Sequence, residues 1–226
     1  MIRRNRSLLL LHAAANALLL WLAYEWLGVD ESSSARLFLS AIDALAILTL
    51  ICWLYGATLV WFRLGEEKLN DAFRIALRNV GWLLALAVGA LTVYGLLEKG
   101  AAASGTPALK IASWLTWTLR TPVKPAAIHA IFQGTFWLLR WAALPILLLP
   151  AASAIATQGR PAWRAQRRYV VIPLLALIGL WLPFIVLGWK PHAASFTLEL
   201  ASFTLRAGVA YALFIAAMLG LARTSA

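Results

Sequence analysis

Ala72-Phe73-Arg74, with Arg78 and Val80 behind it, runs straight into an apolar stretch. Ninety residues later Ala162-Trp163-Arg164, with Arg168 and Val170, runs into another. In the same register Leu84 and Gly89 answer to Leu174 and Gly179. Positions 72–89 and 162–179 share six identities (Ala, Arg, Arg, Val, Leu, Gly), and an aromatic matches an aromatic. The two arginines at fixed spacing carry the match, because leucines recur by chance in so apolar a chain. The reading is one module used twice, a short basic surface helix feeding a membrane helix. It decides the kind of molecule and names no reaction.

Composition agrees. Of the 226 residues 62% are hydrophobic and 13% charged, and the mean hydropathy is +0.80. So few charges cannot cover a water-soluble core of that size, so the bilayer is the solvent for most of the surface. The net charge of +11 would suggest nucleic acid in a soluble protein. Here the basic residues flank apolar spans, as anchors on anionic lipid head groups do, and no nucleic-acid partner is expected. Cys52, the single cysteine, excludes an intrachain disulfide and reads as a small buried hydrophobe.

In chain order, Arg3, Arg4 and Arg6 precede an uncleaved first span from Ser7 to Leu27. Asp30, Glu31 and Ser32 to Ser34 make a polar loop. A second span runs from about Leu37 to Phe62. After it Leu69, Ala72, Phe73, Ala76, Leu77 and Val80 recur at helical spacing, with Asp71, Arg74 and Arg78 between them. This predicts an amphipathic elbow lying in the membrane interface and turning into a third span, about Val80 to Leu97. A second elbow opens at Gly159 and Pro161, carries Arg160, Arg164, Arg167 and Arg168, and leads into the fifth span, about Val170 to Trp189. A further match at an offset of 86 pairs Ser113, Thr116 and Arg120 with Glu199, Ser202 and Arg206. In the later copy the helix continues as the sixth span to Leu221. In the earlier one Pro122 and Pro125 cut it, leaving a half-helix over 107–120 that is too short to cross.

The expected fold is all-α and polytopic: about six transmembrane helices, interfacial amphipathic helices and an internal parallel repeat. Residues 1–36 hold the first span and its outer loop, 37–125 one repeat module and 126–226 the other. With the N-terminus inside, the inner segments hold twelve of the 20 lysines and arginines. Both termini are therefore expected on the cytoplasmic side of the cell (inner) membrane.

No pair among His12, His129 and His192 has metal-ligand spacing, and each reads as packing near an interface. There is no phosphate-binding glycine loop and no nucleophile elbow. Trp21, Trp26, Trp61, Trp137, Trp141 and Trp189 lie near span ends, as an aromatic belt requires. No enzyme activity, cofactor or metal is expected. The arginines expected on anionic lipid are Arg74, Arg78, Arg160, Arg164, Arg167 and Arg168. Asp43 and Arg140 are the charges set furthest into spans, each twenty residues before an inner-face arginine, Arg63 or Arg160. Either Arg140 snorkels between Trp137 and Trp141 while Asp43 faces water, or the two form an ion pair. In the second case Glu25 joins them in a polar outer vestibule.

The two elbows, Ala72-Phe73-Arg74 with Arg78 and Ala162-Trp163-Arg164 with Arg168, resemble the elbow-helix modules of bacterial multi-pass proteins. The membrane domain attached to some glycerophosphodiester phosphodiesterases is one such module. The resemblance covers about half the chain and implies a membrane module; the catalytic domain of those enzymes has no counterpart here. Two function classes follow. One is a non-catalytic subunit that scaffolds or anchors another membrane protein. The other is a small permease or lipid-handling transporter, which should place ionisable or unwound positions at mid-membrane. The absence of charged residues from the third and fifth spans favours the first.

Overall fold

A computed structural model of the chain describes residues 6–29, 32–64, 69–159, 171–189 and 195–224. Every element among them is helical. They are α1 (Arg6–Leu27), α2 (Ser34–Leu64), α3 (Leu69–Ala103), α4 (Gly105–Leu119), α5 (Pro125–Leu138), α6 (Leu144–Gln158), α7 (Val171–Ala176), α8 (Leu182–Gly188) and α9 (Phe196–Thr224). A π turn, Leu139–Ala143, joins α5 to α6, and a second, Leu177–Trp181, joins α7 to α8. Six helices are long and apolar enough to cross a membrane: α1, α2, α3, Pro125–Gln158, Val171–Gly188 and α9. The chain is thus an all-helical, multi-pass membrane protein, as its composition requires.

Local chemistry sets the helix ends. Ser33 precedes α2, and its Oγ accepts the N–H of Arg36 at 3.3 Å. Ser195 precedes α9 and caps Leu198 in the same way at 3.4 Å. The half-helix α4 stops at Arg120, which adopts the left-handed conformation (φ 53°). Thr116 Oγ1 then accepts the N–H of Val123 at 2.9 Å, which folds the Pro122–Pro125 corner back into α5. Pro125 starts α5, where a missing N–H removes no helical bond. Gly159 closes α6 at φ +68°, and a side chain there would also meet Asn79 Oδ1 at 2.9 Å.

Each π turn ends two residues before a proline, Ala143 before Pro145 and Trp181 before Pro183. Proline lacks an N–H and crowds the carbonyl four residues earlier. Widening the preceding turn to i→i+5 bonding moves that carbonyl aside and keeps the span continuous.

The elbow expected over residues 69–80 is not set off from the third span as a helix of its own. It is the first part of α3, which runs unbroken for 35 residues, about 52 Å. Ala72 and Ala76 on its apolar face are fully buried. They face α2, where Trp53 Nε1 donates to Phe73 O at 2.9 Å and the two rings meet edge to face. Ala72 and Ala76 are therefore covered by protein, while Leu77 on the same stripe is 53% exposed. Most of the second elbow lies outside the described residues.

The chain packs as two compact units. One comprises residues 1–87, 150–164 and 222–226, and the other 88–149 and 165–221. In the first, α1 and α2 form a hairpin closed by Trp26 Nε1, which donates to Ser40 O at 2.9 Å. Its core is small and close-packed: Ala57, Val60, Ala72, Ala76, Ala151 and Ala156 are all buried. In the second, α4 packs on α5 through Ala108 and Ala112. There α3 meets α5 where Gly100 lies against Phe136, and Val171–Gly188 meets α9 at Gly179 and Gly220.

Candidate functional site

Polar side chains within the apolar helices are few, so each position is informative. In the first unit His12 is buried and stacks on Tyr55, with ring centroids 5.5 Å apart. Asn16 Nδ2 donates to His12 Nδ1 at 2.8 Å, and Tyr55 Oη donates to Asn16 Oδ1 at 2.8 Å. His12 is thus packed inside the α1–α2 hairpin. At the end of the same unit Arg63 donates to Thr157 Oγ1 (2.9 Å) and Asn79 to Ala156 O (3.2 Å). Both therefore tie down the last turn of α6, where a cation also suits the helix dipole. Trp61, expected in an aromatic belt, is buried in the core.

In the second unit Ser104, the single residue between α3 and α4, is buried at the centre of a polar knot. Its Oγ donates to Ala101 O at 2.7 Å and faces His129 Nδ1 at 3.2 Å. Gln133 Nε2 donates to the same carbonyl at 2.8 Å and to Ser104 Oγ at 3.2 Å. Through these bonds Ser104 braces the corner between α3 and α4. Arg206 is 8% exposed. Its guanidinium donates to Leu187 O at 3.0 Å, to Trp189 O and, through Nε, to Ser202 O at 3.3 Å. It closes the exposed carbonyls at the end of α8.

Arg140 lies in the second unit within the π turn, half-buried. Its Nε donates to Phe136 O at 3.3 Å, and its guanidinium carbon lies 5.7 Å from the Tyr94 ring centroid. Tyr94 meets Trp141 edge to face at 6.2 Å, and Trp137 meets Trp181 at 6.0 Å. Asp43 and Glu25 belong to the first unit and are exposed on the two arms of the α1–α2 hairpin. Arg74 and Arg78 are exposed on α3. Arg160, Arg164, Arg167, Arg168 and His192 lie outside the described residues. Among the described residues no three His, Cys, Asp or Glu side chains converge as metal ligands would.

Sequence reasoning placed Arg140 and Arg206 among the notable charges but missed their acceptors, which are backbone carbonyls and leave no mark in a sequence. The Asn16 partner of His12 was legible as an i, i+4 pair on one helix face. The chain matches no protein-family model, no curated protein sequence and no solved structure.

Proposed function

We propose that the chain is a non-catalytic subunit of the cell (inner) membrane that scaffolds or anchors a second membrane protein. Both termini are cytoplasmic, and the elbow arginines Arg74, Arg78, Arg160, Arg164, Arg167 and Arg168 contact anionic lipid head groups. One observation carries the reading. Along α3 only Ala72, Ala76, Leu83 and Ala101 are buried, and it presents Trp82, Leu91, Val93 and Leu96 outward. Meanwhile Arg63, Asn79, Gln133 and Arg206 bind carbonyls or hydroxyls of neighbouring helices, as braces in a rigid support do. Photo-crosslinking residues at Leu91 and Trp82 should capture one stoichiometric polypeptide in mild detergent, and one at Ala76 should not. Capture of lipid alone at all three positions would overturn the subunit reading.

A permease or lipid-handling transporter is the second reading, favoured by the two π turns, since such turns recur at functional positions in helices. Bound solute co-purifying without a second polypeptide would select it. For orientation, reporter fusions after Gly65 and Gly159 should read as inside and one after Gly105 as outside. An inside signal at Gly105 would refute the six-span arrangement.

A further inference from the structure

Arg140 interrupts an apolar helix, and its surroundings set both its depth and what it lacks. From Trp141 to Gly159 the chain holds 19 residues with no ionisable side chain, about 28 Å of helix and close to one hydrocarbon thickness. In α3 a second run of 19, Asn79 to Leu97, is equally free of charge and ends at Glu98. The contacts of Tyr94 with Trp141 and Arg140 bring the ends of these two runs to one level, within a helical turn. Trp137 and Trp181 pack beside that level. Aromatic residues gather in this way at the edge of the hydrocarbon, where lipid phosphates begin.

The guanidinium is only partly satisfied there. Its Nε–H reaches Phe136 O and its carbon lies near the Tyr94 ring, but the N–H groups of its two terminal nitrogens meet no acceptor among the described residues. Glu98, the acid at the end of the α3 run, is exposed and accepts no bond from it. A guanidinium presents paired donors at the spacing of two phosphate oxygens, and an arginine bordering hydrocarbon is costly without such a partner. We propose that Arg140, held by Phe136 O and Tyr94, is a binding site for the phosphate of a membrane lipid. A phosphate fits the depth better than a buried partner carboxylate, because Arg140 is level, through Tyr94, with the end of the charge-free α3 run at Glu98, although residues 125–139 before it also carry no Lys, Arg, Asp or Glu.

The test is titration of the detergent-solubilised full chain with dioleoylphosphatidylglycerol, read by native mass spectrometry. Arg140→Gln should weaken the tightest lipid-binding step about tenfold, as expected when charge-assisted hydrogen bonds are lost. Arg140→Lys, which keeps the charge but not the fork, should fall between, and it decides alone if the Gln variant does not fold. Dioleoylglycerol, which lacks the phosphate, should not compete. Equal lipid occupancy in folded Arg140→Gln or Arg140→Lys protein would overturn the proposal. Displacement of the lipid by inorganic phosphate would overturn its lipid part in favour of a free-phosphate site. A rise in occupancy on Asp43→Asn would overturn it in favour of the ion pair. Loss of a co-purifying polypeptide with unchanged lipid would assign Arg140 to a protein partner.

Discussion

Gly179→Ala should destabilise the protein by about 1–3 kcal/mol, and adding Ala217→Gly should restore most of the loss. A Cβ at Gly179 would stand 2.5 Å from Ala217 Cβ, a separation that real side chains do not reach. The obstacle is a short, rigid methyl on α9, so the helices themselves must part. The next contact, Ala217 Cα, is at 3.9 Å and tolerates a methyl. Removing the Ala217 methyl therefore removes the conflict. One turn away a Cβ at Gly220 would stand 2.6 Å from Leu175 Cδ2, but a leucine side chain can rotate, so Gly220→Ala should cost less. Without a hydrophobic effect between helices in lipid, such close approach of small residues is a main source of association. Gly89 makes the control. It lies ninety residues before Gly179 in the sequence match, yet nothing lies within 4 Å of its added Cβ. Gly89→Ala should leave stability unchanged or raise it by up to about 1 kcal/mol, the helical preference of alanine. Denaturant unfolding in one detergent would compare the variants. A Gly179→Ala protein as stable as the parent, or one that Ala217→Gly fails to rescue, would refute this account of the α9 interface.

The contrast between Gly179 and Gly89 shows how far the sequence could be read. Among the described residues apolar runs located all six helices long and apolar enough to cross, because crossing a hydrocarbon core requires about 20 apolar residues whatever they touch. Pro122 and Pro125 bounded the half-helix, because both act locally on the backbone. The continuity of residues 69–80 with the rest of α3 was not legible, because the period shows which face is apolar and not what covers that face. Ala72 and Ala76 would suit lipid or α2 equally, and only the bond from Trp53 to Phe73 O decides. Prolines gave partial information for a similar reason. Pro145 and Pro183 are each preceded by a π turn, whereas Pro150 sits inside α6 with no such turn before it. The partner of His12 and Asn16 across the hairpin, Tyr55, depends on the register of two helices and was not visible at all. Apolar runs and prolines therefore located the helices but not what each face touches.

Arg206→Gln should cost roughly 3 kcal/mol of stability, the other large effect expected of a single side chain here. Arg206 lies inside the α9 span and is 8% exposed. Its acceptors are Leu187 O in the last turn of α8, Trp189 O at the cap of that helix, and Ser202 O on α9 itself. Carbonyls at a helix end have no partner within the helix and form the negative end of its dipole, so a buried cation serves them twice. Hydrogen bonds from a charged donor contribute about 1.5–3 kcal/mol each. The shorter glutamine amide cannot reach acceptors on both helices. Arg206→Lys keeps the charge on one nitrogen and should lose about half as much, because an ammonium cannot span separated acceptors as a planar guanidinium does. Glu199, in the same polar stripe, is exposed and makes no bond to Arg206. Glu199→Gln should therefore be silent, and added salt should leave the Arg206 effect unchanged, unlike that of a surface ion pair. Arg120 aligns with Arg206 at the offset of 86 but is exposed at the end of α4. Arg120→Gln should stay within about 0.5 kcal/mol of the parent. Equal losses at Arg120 and Arg206 would mean that position in the repeat, and not the grip on the α8 carbonyls, sets the role of these arginines.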